Sequence, residues 1–82
     1  MDNNNGINYV RNDKELVWYQ EYIYQEGSLI GEIFTAIDGD GYNLRKLVPV
    51  SIQNGTVEIM QTVGNFTSVC DAKSFVNQAG GL

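Results

Sequence analysis

The residues in this chain that could do chemistry are few, and each lacks the companions its chemistry requires. Asp38-Gly39-Asp40-Gly41 carries carboxylates at alternate positions ahead of a glycine, as the opening of a calcium loop does. Continued at that spacing, the loop would have Tyr42 at its fifth position, Asn43 in place of the sixth-position glycine and Pro49 in place of the closing bidentate glutamate. A hairpin turn with two glycines accounts for the same residues. Cys70 falls in the first turn of a predicted helix, where the positive end of the helix dipole can activate a thiol. The sequence contains no histidine to act as its base, so Cys70 reads as a partly buried structural cysteine. Glu21, Glu32 and Glu58 are assigned to one face of a predicted sheet, where solvated glutamates are the usual finding. No catalytic residue, metal or cofactor is expected, and the chain reads as a non-enzyme.

The totals narrow the possibilities further. At 82 residues, 43% of them hydrophobic and 11% aromatic, the chain has material for one modest core, so residues 1–82 read as a single domain. The opening Met1 to Asn8 is polar, Asn-rich and without periodicity, and is expected to be a flexible tail. Ten acidic residues against five basic give a net charge of −5, which repels phosphate and disfavours direct nucleic-acid binding. The same field suits a basic protein partner, including one that itself binds nucleic acid. A lone cysteine and the absence of a long apolar run lead to the expectation of a cytoplasmic protein with no membrane association.

Positioning these residues falls to four predicted strands and a helix. Glu15 to Gln25 is rich in aromatic and β-branched residues and reads as the first strand, followed by a turn at Glu26-Gly27-Ser28. Leu29 to Ile37, Tyr42 to Gln53 and Thr56 to Val63 follow as strands, the last two joined at Asn54-Gly55, a strong hairpin signal. Propagating regular registers from these turns places Trp18, Tyr22, Ile33, Leu44, Val50 and Ile59 on one apolar face. Ser68 to Ala79 supplies a helical lid: Ser68 and Asp71 have capping-box spacing, Ala72, Phe75, Val76 and Ala79 recur at helical intervals, and Gly80-Gly81 ends it. The fold class expected is therefore α+β: a four-stranded antiparallel β-meander with one C-terminal helix packed on one face, Phe75 completing the core.

One short helix leaves the second face of the sheet uncovered. By the same registers that face carries Tyr19, Ile23, Glu32, Phe34, Arg45, Leu47, Glu58 and Met60, too apolar for a plain solvent face, and it is the expected protein-binding surface. An alternative cover is the N-terminal segment around Ile7, Tyr9 and Val10 folding back over it. The functional expectation is a small acidic protein-binding domain, such as an inhibitor from a phage or other mobile element that occludes a nuclease or nucleic-acid-binding partner. The alternatives are a homo-oligomeric structural protein, such as a homodimer packing sheet to sheet, and a nucleic-acid-binding domain, which the charge disfavours.

Overall fold

Alternating β-branched and aromatic residues, punctuated by glycine turns, build five strands rather than four. The structure is a computed structural model that describes residues 6–12, 19–36, 40–78 and 82. In chain order the elements are β1 (Ile7–Arg11), β2 (Gln20–Gln25), β3 (Ser28–Thr35), β4 (Tyr42–Ile52), β5 (Gly55–Phe66) and the helix α1 (Val69–Asn77). The strands form one antiparallel sheet in the order β1-β2-β3-β4-β5, a meander. The α+β class and the C-terminal helix are as expected. The extra strand is a correction: Ile7 and Asn8 belong to a strand and not to a tail. Ile7, Tyr9 and Arg11 alternate along it, Ile7 is buried, and the strand pairs with β2 from Ile7↔Gln25 to Arg11↔Glu21. The N-terminal segment thus extends the sheet edge instead of folding across its second face. Leu16, Val17, Trp18 and Ile37 lie outside the described residues, as do Asp38, Gly39, Ala79, Gly80 and Gly81.

The β2–β3 hairpin turns at Glu26-Gly27, both with positive φ (52° and 87°), the geometry a two-residue hairpin turn needs to follow the strands' twist. Beyond the turn the pairing is irregular: Tyr24 faces Leu29, but Ile23 faces Gly31, so Ile30 is an inserted bulge residue. An insertion of one residue exchanges the two faces of everything past it. Tyr22, expected in the core, is accordingly on the outer face opposite Glu32, and Ile23 is inside. Gly31 also lets two backbones approach closely, because a Cβ there would collide with the Arg45 carbonyl oxygen.

Helix α1 begins as its sequence implies. The Ser68 hydroxyl oxygen accepts from the Asp71 N–H at 3.1 Å, satisfying one free amide of the first turn, and Asp71 sits favourably at the positive end of the dipole. Its nine residues span about 13.5 Å at 1.5 Å per residue. Ala72 and Val76, one turn apart, press onto Ile7, Ile23, Ile33 and Leu44 to form the buried cluster, with Phe75 and Phe66 stacked beside it, ring centroids 5.6 Å apart. Ile33 and Leu44 are in the core as expected. Val50 and Ile59 are not: they are on the helix side of the sheet, but farther out than so short a helix reaches, and Ile59 is 46% exposed. Phe75 is a half-buried flank of the core and not its centre.

Candidate functional site

Three groups of residues could make up a site. On the outer face, cross-strand pairing sets Glu32 beside Arg45, and the two side chains meet at 3.0 Å between Oε2 and Nη1. The other carboxylate oxygen of Glu32 accepts from Gln20 Nε2 at 3.0 Å, and Gln20 Oε1 accepts from Asn12 Nδ2 at 3.0 Å. The Arg45 guanidinium also lies over the Phe34 ring, 5.0 Å from its centroid. Glu32 is thus buried although it belongs to the outer face, and the row from Asn12 to Arg45 satisfies itself.

The helix side holds a second polar group. Glu21, expected outside, is paired with Lys73 of α1 at 2.8 Å, and Lys73 lies 4.4 Å from the Tyr9 ring centroid. Tyr19 packs edge-on against Tyr42 at 5.5 Å and carries Arg11 over its ring at 4.5 Å. The Tyr19 hydroxyl titrates well above the ordinary tyrosine range, first because of burial and then because Glu21 holds its proton by a hydrogen bond and by charge. Tyr9 is raised as well, by burial and then by the charge of Glu21. A pKa raised on folding means the folded state holds its protons longer than the unfolded chain. That contribution is intact below pH ~10 and is lost as pH climbs through the folded values. The midpoint of urea unfolding is therefore expected to fall from pH ~10 upward, and to fall less steeply in Tyr19→Phe. An equally steep decline in that variant would show that Tyr19 is not the group responsible.

The sequence-derived binding set is accordingly divided. Tyr19 and Ile23 are corrected to the helix side, Ile23 fully buried beneath Ala72 and Val76, because the bulge at Ile30 reverses β2. Glu32, Phe34 and Arg45 are neighbours on the outer face. Leu47 and Met60 are a cross-strand pair farther along that face, and Glu58 stands opposite Pro49. Cys70 is exposed in the first turn of α1, not partly buried. Among the described residues, no three His, Cys, Asp or Glu side chains gather as a metal site, and no helix is long and apolar enough to cross a membrane.

The third group was hidden at the level of sequence. β3 pairs with β4 only from Tyr42 to Lys46, whereas β4 and β5 stay paired to Ile52↔Gly55. Leu47–Ile52 and Gly55–Met60 therefore project as a two-stranded arm about 20 Å long at 3.3 Å per residue. Its helix-side face is built from Val48, Val50, Ile52, Val57 and Ile59, cross-strand neighbours as Val48↔Ile59 and Val50↔Val57. Ile52, Val57 and Ile59 are each at least 42% exposed. The reverse face carries Leu47, Pro49, Glu58 and Met60, and Glu58 is the one charged residue between Leu47 and Val63. The signal available beforehand was strand length: a hairpin longer than the strand beside it must overhang, and a short helix cannot cover the overhang. No family model, curated protein or solved structure matches this chain.

Proposed function

We propose that this chain is a small acidic protein-binding domain, not an enzyme, and that its docking element is the β4–β5 arm. The observation that carries the reading is the charge-free face of Val48, Val50, Ile52, Val57 and Ile59, left outside the core by a helix that stops short. A two-stranded ribbon is marginal in water alone, and contiguous exposed β-branched residues gain free energy only when something covers them. The non-enzymatic part rests on the absence of histidine and on Glu21 and Glu32, each held by a basic side chain. The narrower possibility of an inhibitor that occludes a nucleic-acid-binding protein draws only on the −5 charge.

The test compares wild type with Ile59→Lys and with Phe34→Ala in quantitative association assays, self-association and capture from extracts of the expressing cells. Ile59→Lys is expected to weaken association by about 1–3 kcal/mol while the unfolding midpoint hardly moves, because the position is exposed. Association that survives Ile59→Lys but is lost in Phe34→Ala would transfer the site to the outer face.

A further inference from the structure

We infer that the occupant of the arm's apolar face is a second copy of this chain, two arms packing face to face about a two-fold axis. The inference rests on the arm being a docking element and identifies what docks there.

Charge selects the occupant. Two copies each carrying −5 repel, so they can meet only where acidic groups are sparse. The arm is such a place: Glu58 is its single charge, and it projects from the reverse face beside Pro49, away from the valines and isoleucines. A basic foreign partner would find no counter-charge on this surface.

Shape agrees with self-docking. A two-fold contact must be complementary to itself. With the axis through the Val50↔Val57 pair, the Ile52↔Gly55 pair of one arm stands over the Val48↔Ile59 pair of the other, since both are two residues from the axis. Gly55 contributes no side chain, and no atom lies within 4 Å of where its Cβ would be, so the larger Ile59 of the facing arm has space beside Ile52. Two ribbons stacked in this way would sit ~10 Å apart, as packed sheets do. The free edge of β4 is meanwhile unsuited to strand addition, because Pro49 has no N–H to offer.

Size sets the strength. A face of about 20 Å by 10 Å buries on the order of 400–500 Å² per copy, below a standard protein interface, so the dimer is weak and reversible, with Kd of roughly 10–500 µM.

Sedimentation equilibrium of the full chain from 5 µM to 2 mM tests this. The expected result is a shift from the monomer mass toward twice that mass, a Kd unchanged or lower between 50 and 500 mM NaCl, and at least a tenfold weaker dimer in both Val57→Lys and Ile59→Lys. Phe34→Ala should dimerise within twofold of wild type. Circular dichroism confirms that each variant keeps the sheet. A wild type that stays monomeric at 2 mM overturns the second-copy assignment, and arm-dependent capture of another protein would then leave the docking role standing. Dimers that form equally in the lysine variants, or that weaken tenfold as salt rises, overturn it too; if foreign capture is also insensitive to the lysines, the docking role fails with it.

Discussion

Leu44→Ala is expected to remove about 2–5 kcal/mol of stability, a large share of the roughly 4–12 kcal/mol that a chain of this length holds. Leu44 is 0% exposed and belongs to the cluster in which Ala72 and Val76 close over Ile7, Ile23 and Ile33. Its removal leaves a cavity at the point where helix and sheet join, and the surrounding residues on β3 and α1 cannot collapse into it without breaking strand pairing. Val50→Ala is the informative comparison, since Val50 is on the same strand and the same side of the sheet. It should cost about 1 kcal/mol or less, because the helix does not reach it and water already touches part of the side chain. Urea unfolding of the two variants measures the difference directly. Equal losses would mean that the apolar cover extends over the arm in the isolated monomer.

The second large effect concerns Arg45→Ala. Glu32 is only 5% exposed and depends on the guanidinium for one carboxylate oxygen, the other being held by Gln20. Without Arg45 a buried negative charge is left with one neutral donor, which should cost the fold about 2–3 kcal/mol, more than an exposed ion pair contributes. Adding Glu32→Gln to Arg45→Ala removes the stranded charge and should restore half or more of the loss, giving a coupling of about 1–2 kcal/mol in the double-mutant cycle. Strictly additive losses would show that the carboxylate is hydrated without its partner. The sequence alone implies the opposite division of labour, with Arg45 a docking residue that the isolated fold can spare. The pairing to a buried glutamate makes it a structural residue first.

Much of the architecture was determined by the sequence itself. The glycine turns and the alternation of β-branched residues specify β2 to β5 as a meander, and Ser68 with Asp71 specifies where α1 starts. These are local effects: backbone conformation at a turn and a side chain satisfying an amide three residues away. The hairpin between β4 and β5 turns at Gln53-Asn54, one residue earlier than Asn54-Gly55 would set it, yet pairing then shifts by an even number and every side chain keeps its face. Ile33 and Leu44 are therefore inside, as alternation implies.

Only the tertiary structure decided which side of β2 faces inward, that Ile7 to Arg11 is a strand, and what the helix leaves bare. From Leu16 to Tyr24 nearly every position is apolar or aromatic, so alternation carries no information about its faces, and the bulge at Ile30 decides between them. Five residues in an Asn-rich opening have too little periodicity to declare a strand; their pairing with β2 and the burial of Ile7 do so. The exposed face of Val48, Val50, Ile52, Val57 and Ile59 has the pattern of a core strand, and nothing in that pattern says whether a cover exists. Covering depends on a comparison between distant parts of the chain, a helix of about 13.5 Å against a hairpin that overhangs its neighbour by about 20 Å.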